Sequence, residues 1–246
     1  MLRVSRIFRR HDWTKITQFS GDCYLQSMMG HGLRANTNAE LVDKLVARGF
    51  LVAGEKAVER IKTVDRAKFL SPDIQSTNAV YSNNPHKISA ANHFMSTPQL
   101  HAQIISLMLS KLGPGRTAME IGCGSGFLPA VFRALGCDTV IGVETDVSLL
   151  SMAKERLTET GIIFTDKGPN DILFDAVYVA PYFASFQLFE DFINSLKFTE
   201  DAVCVAAVQL DEARMDQQLI LMERSQDGWK RTDLFTVLCE PLVSSS

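Results

Sequence analysis

The apolar positions along the chain fall into three successive patterns. Between residues 38 and 65 they recur at helical spacing. Thr37-x-x-Glu40 forms a capping box ahead of ELVDKLVARGF, in which Leu41, Leu45 and Val46 share a face. Gly49 can stop that helix, and EKAVERIKTV predicts a second. Residues 71 to 97 lose the periodicity, carry two prolines and are rich in Asn and Ser. They read as an ordered, irregular loop, and so long a loop in a compact domain usually serves a ligand.

From Thr97-Pro98, an N-cap followed by proline at the first helical position, the texture alternates. A helix is predicted to Leu112, before Gly113-Pro114. Strand 117–121 leads to a helix over Phe127–Leu135, then strand 139–144 and helix 147–158. Strands follow at 162–165 and 174–180, with helix 186–196 and strand 202–208 after them. The last two apolar runs flank Gln226-Asp227-Gly228, a hairpin signal. Repeated βα units with a terminal hairpin predict an α/β fold. Its sheet is mainly parallel and seven-stranded, with a C-terminal antiparallel hairpin and an N-terminal helical extension.

Composition narrows the class. The 246 residues are 46% hydrophobic and 22% charged, the balance of a globular chain of one or two domains. A net charge of −3 and a pI near 6.0 give no global attraction to nucleic acid or anionic membrane. No apolar run approaches about 18 residues, so no transmembrane helix is expected. The 5 cysteines are scattered without a C-x-x-C, which argues against structural zinc or any other metal site and for a reducing compartment. The start differs from the rest: Arg3, Arg6, Arg9 and Arg10 precede the first acid, Asp12, while Val4, Ile7 and Phe8 share a helical face. That pattern predicts a mitochondrial targeting segment over 1–11; a frayed basic N-terminus in a cytoplasmic protein is the alternative. Residues 12–97 then form N-terminal helices and an active-site loop, and 98–246 the main α/β domain.

The chemistry concentrates at Ala118-Met119-Glu120-Ile121-Gly122-Cys123-Gly124-Ser125-Gly126. A buried strand runs into glycines at every second position and then a helix. Glycine lets the backbone turn sharply and lets a ligand approach it closely. The spacing is G-x-G-x-G, not the dinucleotide G-x-G-x-x-G. Glu120 stands two residues before the first glycine, where a carboxylate would repel a pyrophosphate but suit an ammonium. Glu144 ends the second strand, where a ribose-hydroxyl acceptor is expected, and Asp166 follows the third, where it could accept from an adenine amino group. Three acids at successive strand ends suit S-adenosyl-L-methionine (SAM), whose ammonium and sulfonium are positive. The cofactor set is thus Glu120, Gly122, Gly124, Gly126, Glu144 and Asp166.

From about residue 25 to 243 the chain resembles the protein-L-isoaspartate (D-aspartate) O-methyltransferases. The resemblance rests on Ala39-Glu40-Leu41-Val42-x-x-Leu45 with Gly49, then Val64-Asp65-Arg66 and Phe69-Leu70. It continues in Met95-Ser96-Thr97-Pro98-Gln99-Leu100-His101-Ala102, similar to the family's T-I-S-x-P-x-x-x-A block. Phe174-Asp175-Ala176-Val177-Tyr178-Val179 resembles its Y-D-A-I-x-V strand, and 219–242 its C-terminal hairpin. The resemblance implies a Rossmann-like SAM-dependent methyltransferase fold. The implied reaction is methylation of the free carboxylate of isoaspartyl residues in damaged proteins and peptides. Ser96 matches the active-site hydroxyl, and His101 matches a position near the cofactor. A carboxylate with a pKa of roughly 3.5 to 4 is already ionised, so no strong base, catalytic triad or metal is needed.

Two segments depart from the family. Ala91-Asn92-His93-Phe94-Met95-Ser96 replaces its glycine-bearing, Thr-containing clamp, with Phe94 where the threonine would stand. Pro241-Leu242 is followed by Val243 and three serines in place of a longer polar tail. These departures hold open a non-catalytic SAM-fold module, for example in mitochondrial ribosome assembly, with Phe94 plugging the substrate slot. Outside such an assembly role no nucleic-acid partner is expected. A methyltransferase for RNA amines is disfavoured because Ala180-Pro181-Tyr182-Phe183 lacks the Asn or Asp that would hold an amine.

Overall fold

The computed structural model describes Gly30 and residues 32–89, 93–169, 171–214 and 216–239. The targeting segment expected over 1–11, and the residues from Glu240 onward, lie outside the described residues. Helix α1 (Asn38–Ala47) starts as its sequence predicts, with the Glu40 N–H donating to Thr37 Oγ1 at 3.1 Å. The return arm of the capping box lands one residue upstream: Glu40 Oε2 accepts from the Asn36 N–H at 2.8 Å. Helix α2 (Glu55–Lys62) buries Val58 and Ile61. A 3-10 turn (Arg66–Phe69) and the one-turn helix α3 (Pro72–Gln75) follow. The segment expected to be irregular contains a small antiparallel ribbon, β1 (His86–Lys87) with β2 (Phe94–Met95), that places His86 opposite Met95 and Lys87 opposite Phe94.

Helix α4 (Pro98–Met108) is capped by Thr97 and tightens into a 3-10 turn at Leu109–Lys111. The alternation then gives β3 (Thr117–Ile121), α5 (Phe127–Leu135), β4 (Thr139–Val143), α6 (Val147–Arg156) and β5 (Ile163–Thr165). It continues through β6 (Leu173–Phe183), α7 (Phe186–Ser195), β7 (Lys197–Val208), β8 (Gln217–Ser225) and β9 (Gly228–Val237). The sheet order is β5-β4-β3-β6-β7-β8-β9, parallel through β7 and antiparallel in the terminal hairpin.

Two strands are longer than the sequence suggests. β6 runs on through Pro181 because its register shifts between Val179 and Phe183, and an irregularity tolerates a residue without an N–H. β7 begins at Lys197 because a second register shift, between Phe174 and Ala176, accommodates its polar Thr199-Glu200-Asp201 stretch.

Period-two alternation sends residues to two buried faces, as expected of a covered parallel sheet. Ala118, Val140, Ala176, Tyr178, Val203 and Val205 pack towards α1, α2, α4 and α5. Met119, Ile141, Val177, Val179, Cys204 and Ala206 pack with Phe189 and Ile193 of α7. The N-terminal helices therefore share one continuous core with the sheet.

The end of the sheet remote from the glycine loop is tied together by Asp175. This buried carboxylate accepts from Arg116 Nη1 at 2.6 Å, the Thr117 N–H at 2.8 Å and the Thr199 hydroxyl at 3.1 Å. It thereby joins β3, β6 and β7. Asp175→Ala removes the acceptor the three donors share, leaves the Thr117 N–H unpaired, and should cost about 2 kcal/mol. For a chain of this size that is a fall of roughly 4–8 °C in the calorimetric midpoint. A midpoint within a degree of wild type would show that the three strand starts do not depend on this group.

Candidate active site

β3 delivers the chain to the C-terminal edge of the sheet between β4 and β6, where the direction of winding reverses. Ligands of open α/β sheets sit at such a switch point. The loop that follows is held by left-handed glycines. At Gly122 (φ +74°) an added Cβ would lie 2.6 Å from Pro181 Cδ. At Gly126, which caps α5, it would lie 2.9 Å from Leu157 Cδ1 and 3.1 Å from Phe164 Cζ. These two glycines answer to packing inside the protein. Gly124 (φ +52°) differs: its nearest neighbour is Ile88 Cδ1, 3.1 Å from an added Cβ, contributed by the ribbon segment above the loop.

The loop is locked by a carboxylate. Glu144 Oε2 accepts from the Gly124 N–H at 2.9 Å, and its Oε1 accepts from the Asp146 N–H at 3.0 Å. Each oxygen keeps a further lone pair for another donor. Glu120 lies almost fully buried beside this loop, and its Oε2 has no hydrogen-bond partner among the described residues. Burial first, and the charge of Glu144 second, push its carboxyl well above the usual range. The Cys123 thiol between them is pushed up by the same causes and is a small apolar filler. The Glu144 N–H donates to the Thr165 carbonyl at 3.0 Å, which sets the ends of β4 and β5 side by side. Asp166, just beyond Thr165, is exposed on the rim. The structure thus gathers Glu120, Gly122, Gly124 and Glu144 around one loop, with Gly126 on its packed side and Asp166 at its edge.

Sequence reasoning passed over Asp146. Its Oδ1 caps α6 by accepting from the N–H groups of Ser148 and Leu149, at 2.9 and 3.0 Å. Its Oδ2 lies 3.4 Å from His93 Nε2 of the ribbon segment, linking the lid to the loop's rim. The capping signal before helix 147–158 was legible; the partner across the cleft was not.

The lid has a buried and an open side. Ile88 and Met95 pack with Phe69, Leu70, Val80 and Leu149. Phe94 turns the other way and is 47% exposed, so the expectation that it plugs a slot is corrected: strand alternation directs Met95 inward and Phe94 outward. Ser96 is half-buried at the end of β2, and its hydroxyl engages no other described residue. Its carbonyl accepts from Arg66 Nη2 at 2.6 Å. Arg66 Nη1 lies 3.2 Å from His101 Nδ1. A guanidinium only donates, so Nδ1 accepts and the ring proton sits on Nε2. Burial and then the Arg66 charge hold His101 well below its usual pKa, hence neutral. Its ring stacks on Phe127, 5.2 Å between centroids, so His101 supports the first residue of the helix after the glycine loop.

Comparison with known proteins agrees with this geometry. Residues 36–184 match the family described as protein-L-isoaspartate(D-aspartate) O-methyltransferase (PCMT). A protein-L-isoaspartate O-methyltransferase of Parvibaculum lavamentivorans is 27% identical over 212 residues, 83% of this chain and 90% of its own. A Caenorhabditis elegans enzyme of the same name is 28% identical over 124 residues, 50% of this chain and 52% of its own. A Dictyostelium discoideum relative is 26% identical over 205 residues, and the match spans 63% of its length. The fold is shared with a Plasmodium falciparum protein assigned to the same family and crystallised in complex with S-adenosyl-L-homocysteine. The two superpose with a TM-score of 0.69 at 21% identity, over 85% of this chain and 99% of the other. The chain belongs to the protein-L-isoaspartate (D-aspartate) O-methyltransferase family.

Proposed function

We propose that the protein is a SAM-dependent carboxyl O-methyltransferase acting on the free carboxylate of isoaspartyl residues in proteins and peptides. The observation that carries this reading is a buried acceptor left open beside the glycine loop, with a second open polar group on the segment that packs over that loop through Ile88. On the loop side, the buried Glu120 Oε2 has no donor among the described residues; on the lid side, the Ser96 hydroxyl engages none of them. A buried carboxyl without a donor is costly, and a cationic ligand would relieve that cost. The residues present therefore fit SAM: Glu120 and Gly124 towards its amino-acid end, and Glu144, already fixed by two backbone N–H groups, towards ribose hydroxyls. Asp166 on the rim suits an adenine amino group. When bound, SAM supplies an electrophilic methyl group on a positive sulfur.

The protein's own work is alignment and exclusion of water. An isoaspartyl carboxylate is ionised at neutral pH, so the site needs no base, consistent with a neutral, buried His101. Ser96 would donate to one carboxylate oxygen and fix its line of approach. The apolar underside of the lid, Ile88 and Met95, keeps water from the loop, which favours a reaction in which opposite charges are consumed. The exposed Phe94 leaves that approach unplugged, in keeping with an enzyme and not a closed assembly module.

The direct test is transfer of tritiated methyl from SAM to an isoaspartyl peptide, set against its normal aspartyl twin. Turnover of the isoaspartyl peptide alone is expected; equal labelling of both, or of neither, refutes the reading. Ser96→Ala removes one hydrogen bond to a charged group. It should lower kcat/KM about ten- to a hundredfold while S-adenosyl-L-homocysteine affinity stays nearly constant.

Glu120→Gln separates stability from binding. The folded-state pKa of Glu120 is raised above its ordinary 4.5, so the folded protein holds that proton more tightly than the unfolded chain. Wild-type stability is therefore lost as pH rises from about 4.5 towards the raised value. The neutral variant should be more stable than wild type at pH 7, with the difference closing below pH 4.5, yet bind S-adenosyl-L-homocysteine at least about tenfold more weakly. Denaturation curves across pH, with and without that ligand, check both signs; a destabilised variant with unaltered affinity would refute the assignment.

The mitochondrial address is proposed from residues 1–11 alone, where an arginine face and an apolar face coexist without an acid. Those residues fused to a fluorescent reporter should carry it to mitochondria, and a diffuse cytosolic signal would count against the address.

A further inference from the structure

Arg66 is the largest fully buried side chain among the described residues. It is 1% exposed, and no carboxylate pairs with it among the described residues. Its Nη2 donates to the Ser96 carbonyl, its Nη1 to His101, and its Nε has no partner among the described residues. The guanidinium carbon lies 5.7 Å from the centre of the Phe127 ring. Burial pulls its pKa down to about 9, which leaves it a cation at neutral pH. The neighbouring acid cannot compensate: Asp65 caps the 3-10 turn and accepts from the Tyr81 hydroxyl at 3.0 Å. The backbone fixes the arrangement, since the Arg66 N–H donates to Asn38 Oδ1 and Asn38 Nδ2 donates to the carbonyls of Lys62 and Val64. Apolar residues of similar volume often stabilise a core better than buried ions. A cation kept here at that cost calls for a function.

Its position supplies one. The Ser96–Thr97 peptide is trans, as are the described peptide bonds throughout, so the Thr97 N–H points away from the carbonyl that Arg66 grips. That N–H is engaged by no described residue, and Thr97 is the N-cap of the 11-residue helix α4. A free hydroxyl and a free N–H therefore sit on adjacent residues at the positive end of a helix, with a buried cation behind their shared peptide. We propose that Arg66 is a positioning residue for the substrate carboxylate. It holds the Ser96 hydroxyl and the Thr97 N–H in one orientation and lends them a positive potential that only an anionic ligand completes. The inference rests on the isoaspartyl reading for the identity of that anion. Hydrogen bonding to the carbonyl also polarises the peptide and strengthens Thr97 as a donor.

The test is binding of two peptides to the full chain saturated with S-adenosyl-L-homocysteine: an isoaspartyl peptide, and the same peptide with that carboxylate converted to an amide. Wild type should prefer the carboxylate. In Arg66→Met the preference should shrink about tenfold or more, through loss of the carboxylate peptide alone, with thermal midpoint and S-adenosyl-L-homocysteine affinity unchanged or raised. Arg66→Lys, which keeps the charge without the fork, should recover part of the preference. An equal loss for both peptides in the two variants would make Arg66 a shape-keeping residue and overturn the proposal. So would a lowered midpoint with the preference intact, and so would a wild type without a carboxylate preference. Because the readout is binding, it is separable from the labelling assay. A protein that prefers the carboxylate through Arg66 but transfers no methyl would keep this inference and lose the enzyme.

Discussion

A parallel sheet covered on both faces has no place for charge in its middle. From Met119 to Val208 the central strands are almost wholly apolar on either side, because any polar group there would be stripped of water without a partner. Charge is therefore confined to the strand ends, and the two ends of this sheet have diverged. At one, Asp175 is fully used: three donors satisfy it and it serves only to hold strands together. At the other, Glu120 near the end of β3, and Glu144 and Asp166 just after β4 and β5, have acceptor capacity left over. The first end is built for stability. The second is left incomplete, and incompleteness is what a ligand can bind to.

The same division explains why the glycine loop needs so little of its own. Gly122 and Gly126 accommodate Pro181, Leu157 and Phe164, all protein atoms. The loop's curvature is thus imposed by packing before any ligand arrives, and Glu144 then pins its central N–H. Such preorganisation removes most of the ordering cost from binding. The segment above the loop rests on Gly124 through Ile88 and on Asp146 through His93.

Much of this was legible in the sequence because it is local. The strand–glycine–helix junction, the Thr37 and Thr97 caps and the terminal hairpin at Gln226-Asp227-Gly228 each declare themselves within a few residues. What was not legible depends on residues far apart in the chain. The strand extensions of β6 and β7 follow from register shifts between partners some twenty-five residues apart. Phe94 could be read as a plug while its orientation was unknown, because two-residue strands carry no periodic signal. Arg66 was quoted only as part of a motif. A lone arginine in the stretch Val64 to Leu70 gives no sign that its guanidinium ends beneath Ser96, thirty positions later.

The two buried ionisable groups of the site, Glu120 and Arg66, are an acid and a base, and no hydrogen bond or ion pair joins them. Had the fold brought them into contact, each would have satisfied the other, and the core would carry a neutral ion pair with nothing left to offer. Kept apart, one beside the glycine loop and one beneath Ser96, they leave an open acceptor at one position and a positive potential at the other. That arrangement suits a cationic methyl donor and an anionic acceptor. The energy withheld from folding at each position is returned when its own ligand binds. The stability the chain forgoes at these two positions therefore serves the recognition of two ligands of opposite charge.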